Sequence, residues 1–161
     1  RPVDKARIVE ALRTALTAEL DVLRAAAAAA REGATHEEAK PENEYDTRAL
    51  EQSYLAGAQA ARVEVLEAAL AHVYALNPPA LGGDDPCQPG ACVVVDDGEA
   101  ERRYFICEVG GGTKLEVDGE TWRVLTPGSP LGAALLHKRI GDVVEHAVRG
   151  ELVELELTQI S

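Results

Sequence analysis

Apolar side chains recur at helical spacing over two long stretches and at strand spacing over the remainder. Residues 4–31, "DKARIVEALRTALTAELDVLRAAAAAAR", contain neither Pro nor Gly, and Ile8, Leu12, Leu16, Leu23, Ala27 and Ala30 follow one another at steps that keep one face apolar. The pattern predicts an amphipathic helix with Asp4 as its N-cap and Gly33 as its stop. Residues 45–76 repeat the pattern with Leu50, Tyr54, Ala58, Leu66, Leu70 and Val73. "NPP" at 77–79 ends this second helix, since proline lacks the backbone N–H and constrains its predecessor. Two such stripes joined by a short connection bury each other as an antiparallel αα-hairpin with coiled-coil packing. At about 1.5 Å per residue the hairpin is roughly 40 Å long.

Beyond the Pro/Gly-rich segment 77–90, the period changes to two. "ACVVVDD" and "RRYFICEV" read as strands, with "GGG" after the second as a loop. "KLEV", the turn "DG" and "TWRVLT" read as a hairpin, and so do "DVVEHAV", "RG" and "ELVELELTQI". Between them "SPLGAALL" reads as a short helix capped by Ser129 with Pro130 in its first position. The fold class is α+β. Residues 1–77 form a two-helix coiled-coil hairpin, 78–90 a linker, and 91–161 an antiparallel sheet domain with one short helix. Trp122, Leu125, Leu131, Leu135 and Leu136 are its expected core.

Charge changes this picture at one place. The chain of 161 residues has a net charge of −12, which argues against bulk binding to a nucleic-acid backbone or an anionic membrane. Residues 1–31 are net positive, whereas 32–46, the connection between the helices, hold six acids and one lysine. Glu37, Glu38, Glu42, Glu44 and Asp46 therefore crowd the expected tip of the hairpin. A solvated turn whose acids favour the start of the second helix is one reading. The other is a set of hard oxygen donors delivered to a divalent cation, because dense like charges repel unless a cation offsets them. One or two such carboxylates could complete a magnesium site in another macromolecule, as in two-metal phosphoryl chemistry.

Three cysteines, Cys87, Cys92 and Cys107, with no paired CxxC spacing, fit reduced thiols in a cytoplasmic protein and not a structural zinc site. No secretory signal or membrane-length apolar run stands out. The first residue is Arg1, so a segment ahead of it is an open expectation. His36, beside Glu37 and Glu38, could be a metal ligand, but a lone exposed histidine is more often without such a role; His72, His137 and His146 have no ligand spacing, and "GGG" precedes no helix that would make it a phosphate cradle.

Two stretches carry a family resemblance. "ENEYD" followed by "LEQSYLAGAQAARVEVLEAAL" resembles the tip and second coiled-coil helix of the bacterial Gre transcript-cleavage factors. "VLTPGSPLGAALLHKRIGDVVE", from Val124 to Glu145, resembles their C-terminal signature. The resemblance runs from the first helix to Ile160. It implies an FKBP-like C-terminal domain that docks on bacterial RNA polymerase at the rim of the secondary channel. It further implies a coiled coil that enters the channel, with tip acids that help hold a catalytic Mg²⁺ belonging to the polymerase.

On that resemblance the factor is no enzyme itself. It binds no cofactor tightly, meets the nascent RNA 3′ end through the polymerase, and acts as a monomer with no membrane partner. Glu42 and Asn43 occupy the family's Glu-Asn place, with Glu44 and Asp46 beside them. The family's second acid falls at Ala39 here, with Glu38 adjacent, and "ENEY" is one residue shorter than the family spacing. Both departures leave a channel-blocking inhibitor open beside a cleavage factor. The signature also implies Ser129, Pro130, Leu131 and Lys138 at the docking surface.

Arg13, Arg24 and Arg31 fall within about 20° of one another on the first helix at 100° per residue. They are candidate contacts to transcript phosphate, or arginine stems flanking the seam. A plain protein-interaction module is the further alternative. An independent enzyme is the weakest, since no nucleophile–base pair can be read.

Overall fold

The first helix begins where the sequence places it. In the computed structural model, which describes residues 2–35 and 47–161, α1 spans Lys5–Thr35. Asp4 Oδ1 accepts from the backbone N–H of Ala6 at 3.1 Å, and the Asp4 carbonyl accepts from Arg7 and Ile8, so the cap satisfies the opening donors. The end differs from expectation. Gly33 lies inside α1, because one glycine costs only about 1 kcal/mol in a helix interior and the preceding alanines propagate the helix. The second helix, α2, spans Thr47–Tyr74 and tightens through bonds from Ala75 to His72 and from Leu76 to Val73 before "NPP".

Six strands follow: β1 Cys92–Asp96, β2 Glu101–Ile106, β3 Lys114–Val117, β4 Glu120–Leu125, β5 Val143–Val148 and β6 Glu151–Ile160. A short helix, α3, spans Pro130–Leu135. The strand order is β3-β4-β2-β1-β6-β5, and every neighbouring pair is antiparallel except β2 with β4. The parallel pair departs from the uniform antiparallel sheet expected. After β2 the chain skips one strand's place, descends as β3 at the edge, and turns back as β4 into the gap. Both predicted two-residue hairpins are present. Asp118–Gly119 and Arg149–Gly150 have positive φ at both central residues, the type I′ geometry that matches strand twist. At the "DDG" turn, Asp97 Oδ1 accepts from Glu99 and Ala100 at 2.8 Å each, and these N–H donors hold its carboxyl below the usual range.

By contact the chain divides into two compact units, Arg1–Ala15 with His72–Ser161, and Leu16–Ala71. In the first, α3 sets Leu131 and Leu135 against Val93, Val95, Tyr104, Ile106, Leu155 and Leu157. Strand alternation turns Cys92, Val94, Phe105, Trp122 and Val124 to the other face. There Leu12 meets Gly110, and Lys5 interacts electrostatically with Cys92 while donating to the Pro79 carbonyl at 2.6 Å. Of the expected core, Trp122, Leu131 and Leu135 are buried and Leu125 and Leu136 half-buried.

In the second unit Leu16, Leu20, Leu66, Ala69 and Leu70 form the buried seam of the helical hairpin. The predicted stripe overreaches here. Leu50 is 59% and Tyr54 73% exposed, and Ala30 and Ala58 are exposed as well. Two helices alone enclose a single narrow seam, and the alanines at 25–30 are too short to cover large side chains.

Among the glycines, the one in the turn into α3 has the closest backbone neighbour. Ser129 Oγ donates to the Thr126 carbonyl at 2.8 Å and accepts from Gly132 N at 3.1 Å. A Cβ built on Gly132 would lie 1.9 Å from that same carbonyl oxygen. Gly132→Ala is therefore expected to lower stability by about 1–3 kcal/mol, read as a fall in melting temperature. Ser129→Ala, which removes both hydroxyl bonds without adding a clash, is expected to cost about 1 kcal/mol.

The three thiols are free and buried. Burial pushes Cys87 up to about 11 and Cys92 up to about 12, the latter partly opposed by Lys5, and raises Cys107 as well. A thiol with a higher pKa in the folded chain contributes stability that is complete below the unfolded value of 9.0. That stability is lost as pH climbs toward the folded value. Denaturant melts at pH 8 and pH 10 should differ by about 1 kcal/mol for each of Cys87 and Cys92, and Cys92→Ala should shrink the difference. An unchanged slope in that variant would contradict the assignment.

Candidate functional site

The acidic connection is bracketed by the end of α1 at Thr35 and the start of α2 at Thr47. Glu37, Glu38, Ala39, Glu42, Asn43, Glu44 and Asp46 lie outside the described residues, as does His36. Their chemistry is legible in the sequence. Their side chains carry carboxylate and amide oxygens, the oxygen type that hard cations such as Mg²⁺ take as ligands. Among the described residues no group of three His, Cys, Asp or Glu side chains is placed to hold a metal ion.

Below the tip, charged pairs join the two helices. Arg24 Nη2 lies 2.9 Å from Glu67 Oε1, and Arg62 Nη2 lies 2.8 Å from Glu19 Oε1. The pairs cross in opposite directions, Arg from α1 to Glu on α2 and the reverse, so a slip of one helix breaks both. All four side chains are largely exposed, which limits each pair to about 1 kcal/mol or less. A groove of about 800 Å³ on this unit is lined by Arg24, Ala27, Arg31, Ala56, Ala60 and Glu67, among others. Arg24 and Arg31 thus reach one groove, as the helical spacing implies, but Arg24 is engaged by Glu67. Arg13 belongs to the other unit, where its guanidinium stacks 5.2 Å from the centre of the Tyr74 ring. These partners are cross-helix contacts that no single-sequence spacing reveals.

The signature residues gather around α3. Ser129 is spent on the cap, and Leu131, only 5% exposed, packs into the core beneath the helix. A side chain so enclosed presents no docking surface, so the expectation for Leu131 as a surface contact gives way to a packing role. Pro130 and Lys138 are exposed. In the loop after α3, His137, which has no ligand spacing in the sequence, takes φ +68, outside either hairpin turn.

No protein-family model and no curated protein matches the chain. Among solved structures the chain is similar to the GreA factor homolog Gfh1 of Thermus thermophilus. The identity is 19%, covering 92% of this chain and 94% of that one, with a TM-score of 0.39. Gfh1 of Thermus aquaticus stands at 19% identity, 94% of each chain and 0.39. A GreA/GreB elongation factor from Nitrosomonas europaea stands at 14%, covering 60% of this chain and 78% of that one, with a TM-score of 0.38.

A double-mutant cycle on Arg24→Ala and Glu67→Ala is expected to return a coupling of about 0.2–1 kcal/mol in low salt. The coupling should fade toward zero at 1 M salt, where exposed charges are screened. A coupling well above that range would show the pair to be far less hydrated than its exposure indicates.

Proposed function

We propose that this protein is a regulator of bacterial RNA polymerase: its sheet domain docks on the enzyme, and its helical hairpin enters the secondary channel and brings the tip carboxylates to the active site. One observation carries the reading. Two helices of 31 and 28 residues, paired by a buried seam, bracket an eleven-residue connection holding five carboxylates and one lysine. A solvated turn has no use for such long supports, and dense like charge is unfavourable unless it meets a cation. The signature around α3 supports docking, since its Ser-Pro pair and glycine build the cap and the close turn that shape this part of the surface.

In this reading Glu42 and Glu38 supply oxygen ligands toward a magnesium ion shared with the polymerase, and Asn43 orients the pair by hydrogen bonding. When bound there, the ion supplies activation of water for cleavage of the RNA phosphodiester. The protein's own groups contribute ligand oxygens and position, and the catalytic scaffold is the polymerase's. Glu44 and Asp46 add negative potential that attracts the cation. Arg31, exposed at the groove rim, is a candidate contact for extruded transcript phosphate.

A second reading is favoured by Ala39. With alanine where the resemblance places an acid, the tip is a weaker bidentate cage, and a hairpin filling the channel would then slow nucleotide entry instead of promoting cleavage. Stalled, backtracked elongation complexes separate the two. With Mg²⁺ present, a cleavage factor shortens the transcript, and Glu42→Ala should reduce the rate by at least about ten-fold, with Glu38→Ala also impaired. Slower nucleotide addition without shortening would establish the inhibitor, and absence of both binding and effect would remove the polymerase reading.

A further inference from the structure

We infer that the cavity at the start of strands β2 and β4 binds the phosphoryl group of a small molecule, with Arg123 and Tyr104 as its principal binding residues. The inference concerns the sheet domain alone and does not depend on the polymerase reading.

The cavity has a volume of about 540 Å³. Small-molecule sites usually enclose about 300–1,000 Å³. Three arginines, Arg102, Arg103 and Arg123, and two glutamates, Glu101 and Glu120, border it, a net of +1 in a chain at −12. These cations differ in how far they are committed. Arg103 lies 3.2 Å from Glu101 and 3.5 Å from Glu120, so it is engaged by both acids of the wall. Arg102 makes a single longer contact, 3.4 Å to Asp97 Oδ2, and Asp97 Oδ1 already accepts two backbone N–H groups. The Arg123 side chain makes no hydrogen bond or ion pair with any described residue.

Strand register distinguishes Arg123 from an exposed arginine such as Arg149. Lys114, Arg123 and Tyr104 are partners across β3, β4 and β2, so their side chains leave the same face of the sheet. Tyr104 is only 9% exposed, yet its Oη bonds no described residue. Among the described residues no side-chain oxygen sealed from solvent lacks a partner, so this hydroxyl belongs to the small accessible part of Tyr104, which borders the cavity. A buried tyrosine ordinarily finds a protein partner for its hydroxyl. One left open on an otherwise enclosed ring is a donor placed for a ligand. The acid on that face of β3, Glu116, is taken by Thr121 Oγ1 at 2.8 Å and by Lys114 Nζ at 3.5 Å. What remains is an unpaired guanidinium, a phenolic O–H and a second guanidinium with N–H groups to spare. Guanidinium forks match phosphate oxygens two at a time, and charge-assisted bonds are the strong ones. Donors from three residues on two strands ask for an anion with more than two oxygens, which selects a phosphate over a carboxylate.

Calorimetric titrations and thermal melts of the full chain test this with inorganic phosphate, ADP and adenosine, against chloride at matched ionic strength. Phosphate and ADP should bind and raise the melting temperature, and adenosine should do neither. ADP binding tighter than phosphate identifies a phosphate ester as the ligand, and equal affinities identify the free ion. Arg123→Gln and Tyr104→Phe should each raise the phosphate Kd about ten-fold. Both variants should melt no lower than wild type, because neither polar group has a bond to lose. Arg149→Gln, outside the cavity, should bind phosphate like wild type. Failure of phosphate to bind, or adenosine binding as tightly as ADP, overturns the inference. So does wild-type phosphate affinity in either Arg123→Gln or Tyr104→Phe, or a loss of affinity that tracks a loss of stability. An equal loss in Arg149→Gln also overturns it, since the attraction would then be to charge in general.

Discussion

Burial of strand β1 on both faces is the constraint from which the larger compact unit is built. Cys92, Val93, Val94 and Val95 are all essentially inaccessible, so the strand needs a cover on each side of the sheet. One cover is α3, which exists because Ser129 caps it and Gly132 lets its first turn sit on the Thr126 carbonyl. The other includes the first turns of α1, held by Lys5 and Leu12. The helix that begins the hairpin is thereby committed at its start to the sheet, and only its continuation from Leu16 serves the second unit. Burying β1 thus requires both the signature turn and the root of the long helix.

What the sequence made legible follows the strength of local signals. Helix periodicity without Pro or Gly, the two-residue "DG" and "RG" turns, and the Ser-Pro cap are encoded within a few residues, and all appear in the structure. The parallel pairing of β2 with β4 was illegible, because strand order depends on which edges meet across the chain. Gly33 misled because a stop signal competes with the helix's own propagation, and the alanine run favours propagation. Leu131 was legible as core from its apolar pattern, whereas the resemblance alone gave it a docking role. A motif residue can be retained for packing as readily as for contact, and only its burial separates the two. Of the candidate site, the acid positions and their spacing are visible in the sequence, whereas the partners of Arg13 and Arg24 required the register between helices.

The hairpin unit shows how little packing sustains a long helical pair. Its seam comprises a few leucines and one alanine, and its two cross-helix ion pairs are exposed and weak. Farther out, Leu50, Tyr54 and Leu55 face solvent. Helix there must come from propensity and from propagation of an already nucleated turn, which is far easier than starting one. The alanine run at 25–30 is suited to that task, since alanine has the highest helix propensity and loses no side-chain entropy on ordering. Large residues along the same stretch would gain nothing without a third element to cover them.

Acids next to the start of α2 gain a few tenths of a kcal/mol from its dipole, but only within the first turn. Glu37 and Glu38 lie nine residues or more before Thr47 and follow the C-terminal end of α1, where the dipole disfavours negative charge. Helix capping therefore accounts for Asp46 and Glu44 and not for the rest. A neutral polar connection would join the helices with less repulsion. The remaining negative charge in this connection is unfavourable for the free protein through like-charge repulsion.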